Sequence, residues 1–359
     1  MQLLEYYQNQ TPSSENFIPR KVQLPAQGDI NLYGVRGSGK TAIILDYIEE
    51  NTKEAYLYID CESPNLILET LNADTLEAYL HSQKIHTLIL DHYNNNFLTF
   101  LPKTQRMILL TRIPLHINIQ HKIELFPLDY EEFLAFEQSS SLSRGFKHFL
   151  RSGTLPLLAK NPKNHHHAMK IFFQSAFNTQ EQKLLLILAQ HHTKHLTIHQ
   201  IYTFAKEQFK VSKDWLYKTI KNFKEEKLIL FIDDHYLKSG KKMLLFDFAF
   251  AKYLTLGQPF ILQFDTMIAL ALMKHHIKVE TLGIHGYITE DNELILPSPF
   301  ESEESLWLKS QKKFSLYKKY KIQKVTIITV TNSYHYSIEK INFEALPFDE
   351  WSVTNNEKE

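Results

Sequence analysis

Cysteine is almost missing from this sequence. Cys61 stands alone in 359 residues, which excludes an intramolecular disulfide and a cysteine-rich zinc site and suits a reducing, cytoplasmic compartment. Net charge is missing too. The 40 basic and 40 acidic residues cancel, so no global field argues for nucleic acid or membrane, and any basic surface has to be local. No apolar run approaches the roughly 18 residues that cross a bilayer. The opening stretch, MQLLEYYQNQTPSSE, lacks the basic-then-apolar order of a secretory signal. Internal repeats and low-complexity tracts are likewise absent. What is present is bulk: 43% of residues are hydrophobic, over a length that suits about two or three packed cores.

Residues 29–136 alternate short apolar runs with helical patterns. Strands are expected at 29–33, 55–60, 87–91 and 107–111, and helices at 41–50 and 66–81. Later strands that are apolar on both sides imply a parallel sheet covered by helices on both faces, with ligands beyond its carboxyl edge. A boundary is expected near residue 161, after Gly153, Pro156 and Pro162. The run His165-His166-His167 reads as a solvated linker, since dedicated metal sites need ligands converging from a framework. Three helical patterns then precede strands at 228–232 and 243–246, the order of a winged helix-turn-helix. Beyond 258 come a helix at 260–276, a β segment at 284–296, a helix at 303–320 and a strand at 324–330. The polar tail, 354–359, reads as disordered. The expected fold class is α/β: a P-loop NTPase sheet in residues 1–160, a winged helix in 161–257, and a smaller α/β domain in 258–359.

The sharpest motif is Gly34-Val35-Arg36-Gly37-Ser38-Gly39-Lys40-Thr41, a full G-x-x-x-x-G-K-[ST] phosphate loop, with Ala42 continuing the helix behind it. Glycines let successive backbone N–H groups turn toward phosphate oxygens. Lys40 supplies a mobile charge for the β- and γ-phosphates, and the Thr41 hydroxyl is a Mg²⁺ ligand. The helix that follows points its positive end at the anion. ATP or GTP with Mg²⁺ is therefore the expected cofactor. Arg36, inside the loop, is expected to point outward toward a partner.

Such a loop needs an acid on a neighbouring strand, and Leu88-Ile89-Leu90-Asp91 ends in one. Asp91 is expected to hold Mg²⁺. The next residue is His92, a poorer base than a fixed carboxylate, which implies slow hydrolysis, with Glu62 as the alternative water-polarising group. Thr111, ending its strand, is the candidate γ-phosphate sensor. Arg112, Arg144 and Arg151 are candidates to stabilise transferring charge.

Residues 206–242 hold ten lysines against six acids, a local balance of +4. Ser212 is the expected N-cap of a third helix whose Leu216, Ile220 and Phe223 face the core. Lys213, Lys218 and Lys221 on that helix, with Lys241 and Lys242 in the wing, are the candidate duplex-DNA contacts. The segment has no arginine for bidentate guanine readout, so an intramolecular spacer or protein-binding surface is the favoured expectation, ahead of non-specific DNA contact.

Taken in order, Ile18-Pro19-Arg20, GVRGSGKT at 34–41, YLYID at 56–60, LILD at 88–91, LLT at 109–111, IELFPLDYEEF at 123–133 and SGTLP at 152–156 resemble a family of prokaryotic AAA-like ATPases related to archaeal ATPases. The resemblance implies an AAA domain followed by a region similar to PD-(D/E)xK nucleases. The stretch 292–301 matches that region but lacks the E-x-K triplet, which implies a nuclease-like fold without nuclease chemistry. Its two prolines suggest an edge strand. Three functions stay open on this reading: a Mg-ATP-dependent switch with slow hydrolysis and a protein partner, a DNA-associated ATPase, and a scaffold with structural ATP. Related P-loop modules associate, so a homo-oligomer is a further expectation.

Overall fold

The computed structural model describes every residue except 1, 11, 14–15, 52–54, 68–69, 138–141, 161–163, 237, 239, 256 and 355–359, and it omits the side chains of 142–144 and 354. The boundary expected near 161, the wing residue Ser239, the Arg144 side chain and the tail beyond Thr354 all lie outside the described residues. The chain divides into two compact units, Met1–Pro127 and Leu128–Glu359. Residues 128–160, expected with the first domain, fall in the second unit.

The first unit contains α1 (Gln2–Gln8), β1 (Ile30–Tyr33), α2 (Lys40–Glu50), β2 (Tyr56–Asp60), α3 (Ala73–Ser82), β3 (Thr87–Asp91), β4 (Arg106–Thr111) and β5 (His121–Glu124). The strands form one parallel sheet in the order β2-β3-β4-β1-β5. Strand alternation splits the apolar residues between two cores. Ile89, Ile108 and Leu110 pack with Ile43, Ile44 and Ile48 of α2 on one face. Leu88, Leu90 and Leu109 pack with Leu76 and Leu80 of α3 and Leu3 and Leu4 of α1 on the other. Helix α3 begins later than the apolar pattern suggests. The Asn72 carboxamide oxygen accepts from the N–H groups of Asp74 and Thr75, which fixes the start of the helix there.

The second unit opens with α4 (Tyr130–Glu137), α5 (Leu142–Ser152), α6 (Pro156–Lys160), α7 (His165–Ala176) and α8 (Thr179–Gln190). The histidine run therefore begins a helix and is not a linker. Next come β6 (His195–Leu196), α9 (Ile198–Gln208), α10 (Lys213–Glu225), β7 (Ile229–Ile232) and β8 (Lys241–Leu245), with sheet order β6-β8-β7. This is a winged-helix arrangement. Ser212 caps α10 through the Trp215 N–H, and Leu216, Ile220 and Phe223 are buried.

Helix α11 (Phe248–Tyr253) starts at Asp247, a fully buried carboxylate that accepts from the Phe250 N–H at 2.6 Å. The same carboxylate accepts from the Thr154 N–H at 2.5 Å and the Thr154 hydroxyl at 2.6 Å. Gly153, with φ +76°, lies against it, and any Cβ there would strike its oxygens. The turn at 152–156 is thus pinned to the start of α11.

The remaining elements are α12 (Phe260–Lys274), β9 (Val279–Thr281), β10 (Tyr287–Thr289), β11 (Glu293–Pro297), α13 (Glu303–Lys312), α14 (Phe314–Lys319), β12 (Lys324–Thr329), β13 (Tyr334–Ile338), β14 (Ile341–Pro347) and α15 (Phe348–Thr354). Their sheet runs β13-β14-β12-β11-β10-β9. The helix expected at 303–320 is broken at Lys313 into α13 and α14. Strand β11 is internal, antiparallel to β10 and parallel to β12, which corrects the edge assignment. Pro297 is tolerated because it ends the strand, beyond the β10 pairing, so its missing N–H costs little of the ladder. Among the described residues, no helix is long and apolar enough to cross a membrane, and no group of three or more His, Cys, Asp or Glu side chains is arranged to hold a metal ion.

Candidate functional site

The parallel sheet brings the ends of β1, β3 and β4 together at its carboxyl edge. The loop at 34–41 leaves β1 and enters α2 through Gly39, whose φ of +97° is a left-handed conformation open to glycine. At Gly34 the constraint is proximity: a Cβ would collide with the main-chain carbonyl of Leu125, just past β5. Arg20 secures the outside of the loop, donating to the Ser38 carbonyl and the Phe126 carbonyl, each at 2.8 Å. Inside, Lys40 Nζ lies over the loop, 2.7 Å from the Gly34 carbonyl and 3.1 Å from that of Val35.

The acid arrives from two strands away. Asp91 ends β3, and β4 lies between β3 and β1. It is 1% exposed, and three groups fix it. The Thr41 hydroxyl donates to Oδ2 at 2.7 Å, the Tyr58 hydroxyl donates to Oδ2 at 3.0 Å, and the His92 N–H donates to Oδ1 at 2.8 Å. Burial, then the Asp91 charge, pushes the Tyr58 hydroxyl far above its ordinary pKa, so it stays a donor. The neighbouring Cys61 thiol is likewise raised, first by burial, which keeps it from acting as a nucleophile.

His92 adopts a left-handed φ of +53°. Its Nδ1 lies 2.9 Å from Asp60 Oδ1 at the end of β2, whose Oδ1 also accepts from the Glu62 N–H at 3.0 Å. The bond to Asp60 raises the pKa of His92, and the bond to His92 lowers that of Asp60. Glu62 pairs with Arg112 at 2.6 Å, a bridge between the ends of β2 and β4, the two strands that flank β3. Thr111 is buried, and its hydroxyl is fully engaged. It accepts from Asn31 Nδ2 at 2.8 Å and donates to the Ile113 carbonyl at 2.6 Å. Asn31 also donates to the Leu109 carbonyl and accepts from the Leu115 N–H.

These residues fit a magnesium nucleotide. Ser38 is fully buried, and its hydroxyl bonds to no described residue, so a phosphate oxygen accepting from it would offset an otherwise costly burial. The Gly34 cradle has no room for a side chain, and Lys40 supplies positive charge at its mouth. Thr41 Oγ1 and Asp91 Oδ2, 2.7 Å apart, are the adjacent hard oxygens that Mg²⁺ selects. When bound, the metal supplies charge neutralisation on the phosphates.

Of the other predicted residues, Lys213, Lys218 and Lys221 lie exposed along α10. Lys241 is exposed and paired with Asp233 at 2.7 Å. Lys242 is largely withdrawn from the surface. Its side chain is 12% exposed, with Nζ 2.6 Å from Asp265 and 2.8 Å from the Tyr287 hydroxyl. Alternation along β8 turns it inward while Lys241 faces out, which removes it from the DNA contacts. Sequence reasoning missed Asn31, Tyr58 and Asp60 as site residues, because their roles depend on partners in other strands.

The site and sheet have the geometry of a P-loop domain. Residues 28–102 match the family model of the AAA domain. The chain is also similar to the uncharacterized protein MJ1544 of Methanocaldococcus jannaschii, at 23% identity over 62% of this chain; the match spans 58% of the length of that relative. Among solved structures, it resembles the Orc1 protein of Aeropyrum pernix in complex with DNA, at 10% identity, covering 65% of this chain and 87% of that one, with a TM-score of 0.31. It also resembles Cdc6p of Pyrobaculum aerophilum, at 10% identity, covering 63% of this chain and 87% of that one, with a TM-score of 0.22.

Proposed function

We propose that this chain binds Mg-ATP in the loop at 34–41 and works as a nucleotide-dependent switch that hydrolyses ATP slowly and engages a protein partner. The observation that carries the reading is the bond between Thr41 and Asp91, set beside the Lys40 ammonium and the buried Ser38 hydroxyl. Lys40 binds the β- and γ-phosphates, loop amides from Val35 to Thr41 cradle them, and Thr41 and Asp91 hold the metal. Slow turnover is supported at two positions. His92 is bonded to Asp60, which favours its protonated form and so opposes a role as base. Glu62 is engaged by Arg112, which would have to release it before it could polarise a water.

Within the second unit we read 161–257 as a winged helix and 258–359 as a nuclease-like domain without catalytic metal, both serving partner binding. Duplex-DNA contact is a second reading, favoured by the exposed row of Lys213, Lys218 and Lys221 on α10.

Single-turnover and steady-state ATP assays test the switch. Tight Mg-ATP binding with turnover below about one per minute, a rate far under that of typical enzymes, is the expected result. Rapid turnover would overturn the account of slow hydrolysis, its survival in Glu62→Gln would rule Glu62 out as the water-polarising group, and failure to bind either ATP or GTP with Mg²⁺ would overturn the whole reading.

A further inference from the structure

A cavity lies wholly within the second unit, between α5, the start of α7, the end of α11 and the start of α12. Its volume is about 450 Å³, in the range that small organic ligands occupy. Lys147, Arg151, His165, His166 and Lys252 line it. No aspartate or glutamate is among the lining residues. Neither Lys147, Arg151 nor Lys252 forms an ion pair with a described residue.

The side chains that Arg151 and Lys252 touch are not carboxylates. Arg151 Nε donates to His165 Nε2 at 3.2 Å, and Lys252 Nζ donates to Gln263 Oε1 at 3.2 Å. Gln263 is 1% exposed, and its amide donates to the Leu150 carbonyl, so the acceptor that steadies Lys252 is itself fixed. Helix α7 starts at His165, and its N-cap, Asn164, makes no side-chain cap bond. The positive end of that helix adds to the same field. A concave surface lined with one sign of charge focuses potential and draws in the opposite sign.

The rest of the lining is apolar and flat. Met169 is buried, and the rings of Tyr253 and Phe260 are part of the wall. His166 packs edge-on to Tyr253, with centroids 5.0 Å apart. An inorganic anion would satisfy the cations and leave this wall uncovered. A ligand with a phosphate at one end and a planar ring at the other matches both halves.

We propose that this cavity binds a nucleoside phosphate independently of the loop at 34–41, with the phosphate among Lys147, Arg151 and Lys252 and the base against Tyr253 and Phe260. A free mononucleotide and the phosphorylated end of an oligonucleotide offer the same chemistry.

The test uses the full chain carrying Lys40→Ala, which removes the loop's lysine, and calorimetric titration at low salt. The probes are AMP, adenosine, inorganic phosphate, and a short oligothymidine with or without a 5′-phosphate. AMP or the 5′-phosphorylated oligonucleotide should bind at least about tenfold more tightly than the adenosine and phosphate controls. The tighter of the two assigns the source. Arg151→Gln with Lys252→Gln should weaken that binding by about tenfold or more, as expected for lost charge-assisted bonds. Lys147→Gln, a surface change, should weaken it severalfold and keeps the test valid if the double variant fails to fold. The proposal is overturned if neither phosphorylated probe binds, if adenosine binds as well as AMP, or if the charge variants bind as the parent does.

Discussion

Thr41 and Asp91 meet across 2.7 Å, although 50 residues separate them in the chain. Their bond ties the first turn of α2 to the end of β3, which makes the proposed metal pair part of the framework and not of a mobile loop.

Thr41→Ala and Asp91→Asn should each weaken Mg-nucleotide binding by about tenfold or more, with a much smaller effect on binding measured in EDTA. Fluorescent-nucleotide titration with and without Mg²⁺ checks this. Thr41→Ala should lower stability by only about 1 kcal/mol, because Tyr58 and the His92 N–H still bond to Asp91. Equal losses with and without metal would contradict the assigned role.

The His92–Asp60 pair gives a pH signature. His92 is raised above its ordinary 6.5, so its contribution is complete below that value and is lost as pH rises through the folded pKa. Asp60 is lowered below its ordinary 3.8, so its contribution is present above that value and is lost as pH falls through the folded pKa. The stability difference between the parent and His92→Gln should therefore be widest between about pH 4 and 6.5 and shrink at higher pH. Urea denaturation across that range reads it, and a difference independent of pH would contradict the pairing.

Lys242 should behave differently from the lysines of α10. Lys242→Met leaves the Asp265 carboxylate nearly buried without its cation and should cost about 3 kcal/mol of stability. If the winged helix contacts duplex DNA, Lys242→Met leaves the salt dependence of binding unchanged, whereas Lys218→Ala or Lys221→Ala each reduces the slope by about one. Thermal denaturation and salt titrations of the same variants separate the two roles.

The phosphate loop was legible because its chemistry needs particular residue types at fixed spacing, and GVRGSGKT at 34–41 has them all. The strands beneath it were legible as apolar runs, since β3 and β4 are buried along their whole length. Thr111 was harder to place. A polar residue at a strand end looks the same whether it faces a phosphate or a buried amide, and its partner Asn31 lies 80 residues earlier. Lys242 was misplaced because a lysine count carries no information about which side of a strand each residue faces. Strand β6 spans two residues, too few for any pattern to register. Strand β14 did carry a signal, with Ile341, Phe343, Ala345 and Pro347 alternating inward. The prolines near β11 pointed to an edge because sequence alone does not reveal that Pro297 is the strand's last residue.

The pairing of β1 bears on how the protein can be cut. Its two sheet neighbours, β4 and β5, begin at Arg106 and His121, and the Leu125 carbonyl packs against Gly34. A fragment trimmed to residues 28–102, the stretch that matches the AAA-domain model, would expose both edges of the very strand that launches the phosphate loop. The smallest excised piece worth expressing therefore extends past Leu125, and an inactive shorter clone would report on its missing strands before it reported on nucleotide chemistry.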